Sequence, residues 1–129
     1  MTSNRGAGHI GPLIPFAHAF ARAGDEVVIA APRGARDLVV DARIPYHPLA
    51  DPPQDEIDAV MADFPSLDGE QQGVRMMREV FAGIDARASL PGVLRAMAEH
   101  RPDLVLREPT EYAGLLAAER LGAGSRRRP

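Results

Sequence analysis

The stretch that most constrains this chain is residues 4–15, NRGAGHIGPLIP. Gly6, Gly8 and Gly11 surround a single histidine, His9, and Pro12 and Pro15 open the next segment. Glycine tolerates positive φ and lets a backbone pass close to a ligand. Proline suits the first turn of a helix, where its missing N–H costs nothing. The stretch therefore predicts a tight loop that presents His9 and runs directly into a helix over residues 12–23. Leu13, Phe16, Ala17 and Phe20 share one face of that helix, and Gly24 stands where a left-handed helix end is favoured. Residues 26–32, EVVIAAP, then read as a short buried strand. Loop, helix and strand make most of a βαβ unit. The first strand is the missing piece, because the three residues before Asn4 are fewer than the ~5–6 of a typical strand. The expectation is an incomplete Rossmann-like parallel α/β sheet.

The rest of the chain repeats this alternation. Residues 35–40 form a short predicted helix, and residues 44–48, IPYHP, an extended segment that its prolines limit to a sheet edge. Helical patterns occupy residues 55–64, 70–88 and 90–100, the last with Pro91 in its first turn. Residues 103–107, DLVLR, read as a second buried parallel strand, and residues 108–112, EPTEY, as the turn at its carboxyl end. A helix over 113–121 completes a domain at 1–122, with an unstructured basic tail at 123–129. In such a sheet the loops after successive strands open on one side, where ligands bind. His9 and Glu108 are thereby placed facing one another.

With 129 residues, a net charge of −3 and no cysteine, the chain is long enough for a real core and has neither disulfides nor thiolate chemistry. All fifteen basic residues are arginine and, apart from residues 126–128, they are dispersed, so no nucleic-acid footprint is visible. No run approaches the ~20 apolar residues of a membrane span. No secretory signal is evident, which makes the cytoplasm the default compartment. No metal-ligand cluster is apparent from spacing.

Histidine is the side chain best suited to base chemistry near neutral pH. A carboxylate behind His9 would fix its tautomer, and topology offers Glu108 before Glu111. The alternative is a histidine that only packs within a turn. Neither serine nor cysteine stands ready as a nucleophile, so the pair suits deprotonation of a hydroxyl. The loop lacks the Lys-Ser/Thr of a phosphate-binding P-loop and the register of G-x-G-x-x-G.

Residues 6–32, GAGHIGPLIPFAHAFARAGDEVVIAAP, resemble the N-terminal signature of glycosyltransferases with the GT-B fold. The likeness is to bacterial enzymes that glycosylate macrolides, enediynes and other polyketides in antibiotic biosynthesis. Residues 102–122, PDLVLREPTEYAGLLAAERLG, resemble that family's later strand, turn and helix. One departure is Asp25, where the family usually carries His. The resemblance implies inverting transfer of a hexose from a UDP- or dTDP-linked sugar to a hydroxyl of a small aglycone. His9 would be the base and Glu108 its supporting acid. The nucleotide sugar is a co-substrate, and no further cofactor or metal is implied. Phe64, Met76, Met77 and Phe81, on the variable helices, would line the acceptor cleft, although Met and Phe at helical spacing serve packing equally well. Members of the family are about three times as long and hold the nucleotide mostly on a C-terminal domain. This chain therefore reads as the N-terminal acceptor-binding part, inactive by itself. A non-catalytic ligand- or partner-binding remnant is the alternative. A cell-wall GT-B enzyme is a further one, but its loop is richer in glycine.

Overall fold

The computed structural model describes residues 1–122, so the predicted tail at 123–129 lies outside the described residues. A parallel sheet forms the centre. Strand β1 (Ile29–Pro32) pairs in parallel with β2 (Tyr46–Leu49), Ile29 opposite Tyr46 and Pro32 opposite Leu49. β2 is the predicted edge segment, starting two residues later and ending one residue later than expected.

No sheet-spanning first strand forms, but its place is not empty. Thr2 bridges Ala30 on one side and Arg107 on the other, both in parallel. The Thr2 amide donates to the Leu106 carbonyl at 2.9 Å, and Ser3 to Ala30 at 3.1 Å. Ala30 donates to Met1 at 2.8 Å, and Glu108 to Thr2 at 3.0 Å. Residues 1–3 therefore satisfy backbone groups on both sides that the sequence alone left unpaired. The pairing reaches no further, and this explains two departures from expectation. The strand predicted over 26–32 begins only at Ile29. The strand predicted over 103–107 is reduced to a single bridge at Arg107, with Leu104 62% exposed.

Side chains alternate across a strand, and β1 uses both faces. Ile29 and Ala31 pack with Ile10 of α1 (Ala7–Ile10), with Leu13 and Ala17 of α2 (Leu13–Arg22), and with Val39 of α3 (Arg36–Asp41). Ala30 and Leu49 pack on the opposite face with Val93, Ala96 and Met97, and with Ala113 and Ala117.

A further departure concerns residues 69–100. After α4 (Gln54–Met61), helix α5 (Gly69–Arg75) starts at a capping box formed by Asp68 and Gln71. It passes into a π-helical stretch, Met76–Asp85, and then into α6 (Ala86–His100) without leaving helical backbone angles. The predicted break near residue 90 is absent, and Pro91 lies inside α6. An internal proline costs about 3 kcal/mol. Burial of Val93, Ala96 and Met97 against the sheet outweighs that local cost, as tertiary packing commonly does.

Helix α6 runs antiparallel to the strands. Gly92 lies so close to Leu49, at the carboxyl end of β2, that a Cβ there would come within 2.8 Å of the leucine side chain. His100 meets His47, two residues earlier in the strand. The helix therefore rises past the carboxyl ends of the strands at its amino end. That carries Phe81 and Asp85 to the level of the glycine loop.

Candidate active site

Gly6 adopts φ 104°, a conformation open to glycine, and its carbonyl accepts from the amides of His9 and Ile10 at 3.1 and 3.0 Å. This closes the single turn of α1 and pins it through the fully buried Ile10. His9 is thereby held at the rim, its side chain 28% exposed.

His9 Nδ1 lies 3.2 Å from Glu108 Oε2 and 3.3 Å from Thr110 Oγ1. The Thr110 hydroxyl donates to Glu108 Oε2 at 2.6 Å, and its amide donates to Glu108 Oε1 at 3.2 Å. Asn4 Nδ2 donates to both the carbonyl and the hydroxyl oxygen of Thr110, each at 3.1 Å. Because the threonine proton is committed to Glu108, the acceptors around Nδ1 assign the proton to that nitrogen. The lone pair then resides on Nε2, the arrangement of a base oriented by a carboxylate. The Phe81 ring meets the imidazole edge-on, with centroids 5.6 Å apart.

The structure thus brings together His9, Glu108 and Phe81 of the residues singled out from sequence. Met76 packs half-buried with Phe81 against Ile57, Val80 and Ile84. Met77 is 36% exposed on the same π-helical stretch. Phe64 is half-buried in a 3₁₀ turn, and its carbonyl accepts from Gln72. Glu111, the second-choice carboxylate, is engaged elsewhere. It is buried, accepts from Thr2 Oγ1 at 2.5 Å and from the Gly114 amide at 2.9 Å, and so caps the start of α7 (Ala113–Leu121). Burial pushes its carboxyl above the usual range. Gly114 permits that contact, since a Cβ there would lie 2.3 Å from Thr2 Oγ1.

Sequence reading missed three residues of this neighbourhood. Asn4 and Thr110 lie inside the two blocks already singled out, and the signal was their short polar side chains beside the ligand-facing turns. Asp85 carried no such signal. It is buried, and its Oδ1 has no hydrogen-bond partner. Burial pushes its carboxyl up to about 6, against the opposing charges of Arg5 and His9. Ser89, one turn along, is also buried with an unpartnered hydroxyl.

The other histidines lie elsewhere. His18 Nε2 meets the Ala42 carbonyl at 2.9 Å. His47 and His100 form a cluster with Glu99 at the far end of α6. A groove of about 790 Å³ opens at the amino-terminal ends of the strands, bordered by Phe20, Val27, Ile44 and Leu104. It lies where the sheet is shortest, away from His9.

No family model matches the chain. Over 125 residues it is 32% identical to the L-demethylnoviosyl transferase of Streptomyces niveus, which covers 95% of this chain and 31% of that protein. Its fold superimposes on the Streptomyces sp. SF2575 glycosyltransferase SsfS6 with a TM-score of 0.76 at 24% identity, covering 94% of this chain and 36% of SsfS6. Against the glycosyltransferase VinC, solved in complex with dTDP, the TM-score is 0.73 at 22% identity, over 95% of this chain and 32% of VinC. The chain is similar in sequence to a Streptomyces glycosyltransferase and in fold to GT-B glycosyltransferases. It matches the N-terminal part of the GT-B fold and spans about a third of the length of these relatives. Among the described residues no helix is long and apolar enough to cross a membrane.

Proposed function

We propose that this chain forms the acceptor side of an inverting glycosyltransferase. His9 Nε2 removes the proton from a hydroxyl of a small, largely apolar aglycone. The resulting oxygen attacks the anomeric carbon of a hexose from the face opposite its nucleoside diphosphate, which departs. Glu108 holds the Nδ1 proton in place and stabilises the imidazolium that forms. Phe81 beside His9, together with Met76, Met77 and Phe64 of the neighbouring helical segments, would offer the acceptor an adaptable apolar wall. The dTDP bound by VinC makes a thymidine diphosphate sugar the first donor to test. A soluble donor of this kind suits the cytoplasm. Transfer requires a donor-binding domain, because orientation of both reactants supplies up to ~7–11 kcal/mol of barrier reduction.

What supports the reading is the His9 Nδ1–Glu108 contact at 3.2 Å, which leaves Nε2 free at the carboxyl end of the sheet. The test joins this chain to the remaining C-terminal part of the S. niveus relative and assays a dTDP-hexose with a panel of phenolic and macrolide acceptors. The fusion should transfer sugar and the 129-residue chain alone should not. His9→Ala should lower turnover by roughly 10²–10⁴ with acceptor affinity little changed. Near-normal turnover in that variant would make His9 a turn residue. A folded fusion that binds acceptors without transfer would favour a ligand-binding module.

A further inference from the structure

We propose that His47, Glu99 and His100 form a binding site for a divalent transition-metal ion of the zinc type. The site lies at the opposite end of α6 from His9 and does not rest on the glycosyltransferase reading. His47 Nδ1 and His100 Nε2 point at one another across 3.4 Å, with the rings nearly perpendicular at 83°. A direct N–H···N hydrogen bond between them would be long, since such bonds cluster at about 2.9–3.0 Å. Two imidazole nitrogens sharing one tetrahedral zinc at about 2.0–2.1 Å each stand about 3.3–3.4 Å apart, which matches the observed spacing. Glu99 Oε2 lies 3.9 Å from His47 Nδ1 on a side chain that is 67% exposed, so it is free to close the remaining half ångström or so. All three ligand atoms fall within 4.8 Å of one another.

The surroundings favour a cation. Glu99 and His100 end α6, and the C-terminus of a helix carries partial negative charge. Imidazole and carboxylate suit Zn(II), and also Cu(II) or Ni(II). Three protein ligands leave a fourth position for water. Besides His100, Arg95 is an opposing charge felt by His47, and its guanidinium lies near Gly92, two turns back along the helix from His100. The bound ion would tie β2 to the end of α6 where the sheet is shortest.

The experiment titrates the 129-residue chain with ZnCl₂ by calorimetry at about pH 7.5. It is repeated with CoCl₂, whose visible absorption reports tetrahedral ligation, and thermal unfolding is measured with and without zinc. One equivalent should bind, and zinc should raise the unfolding temperature. His47→Ala and His100→Ala should each weaken binding by about ten-fold or more. Glu99→Gln should weaken it less, Arg95→Gln should strengthen it, and His18→Ala should leave it unchanged. His100 is exposed at a helix end, so its variant tests the site even where His47→Ala perturbs folding. Absence of saturable binding, or binding that survives both histidine substitutions, would overturn the proposal.

Discussion

The two ends of this sheet are built differently. At the carboxyl end, loop residues 4–9 and the turn 108–111 are cross-linked by side chains. Asn4, His9, Glu108 and Thr110 form one continuous hydrogen-bonded group, and Thr2 with Glu111 forms a second beneath it. At the amino end, the segments around Val27 and Leu104 form no strand and border an open groove. Three residues of central strand hold both halves together, and they do so only at the carboxyl end. Order in this domain is therefore concentrated where ligands bind in such sheets.

Substitutions at the two ends should differ by orders of magnitude. In the donor-domain fusion, His9→Ala should have the largest effect, roughly 10²–10⁴ in turnover. Glu108→Gln should come next at roughly 10² in turnover, because it permits the wrong tautomer rather than removing the base. Thr110→Val should cost roughly ten-fold, since it loosens the orientation of a base that stays in place. Steady-state kinetics checks all three, with the loss falling on kcat more than on KM. In stability, Gly114→Ala should cost about 1–3 kcal/mol through its collision with Thr2 and Glu111, read by urea denaturation.

Asp85 supplies a change of opposite sign. Its carboxyl is raised from 3.8 to about 6 in the folded protein. The native state therefore holds this proton more tightly than the unfolded chain does. The penalty is absent below about pH 4 and complete above about pH 6, so this group makes stability fall as pH rises between the two. Asp85→Asn should raise stability by about 1–3 kcal/mol at about pH 7.5 and remove that slope, as pH-dependent denaturation would reveal. At the loose end, Leu104→Asp should change stability by no more than about 0.5 kcal/mol, because Leu104 is already 62% exposed. A loss above about 2 kcal/mol there would erase the contrast between the ends.

The legible parts of the fold were those written in local pattern. The Gly6–His9 turn, the helix after Pro12 and the turn at Glu108 arise from residue types whose backbone preferences act within a few positions. Parallel topology then placed His9 opposite Glu108 although about 100 positions separate them. What was illegible depends on partners. Val27 and residues 103–106 have the composition of strands, but the ladder beside them is too short to pair them. Pro91 reads as a helix start, yet packing of Val93 and Met97 draws it into the middle of α6. Asp85 stands on a helix whose pattern marks it as one more surface acid. Only the rise of that helix past the sheet turns it toward Arg5 and His9. The pairing of His47 with His100 likewise rests on the antiparallel docking of α6 on β2, which no local signal announces.

The Asn4–Thr110–Glu108 group holds the proton of neutral His9 on Nδ1 and leaves the lone pair on Nε2. Long-range ¹H–¹⁵N correlation spectra of the 129-residue chain, above the pH at which the imidazole is charged, measure this directly. The spectra should show a protonated Nδ1 and a lone-pair Nε2 for His9, with the pattern lost in Glu108→Gln. A His9 that carries its proton on Nε2, or that averages between the two tautomers, would contradict that assignment.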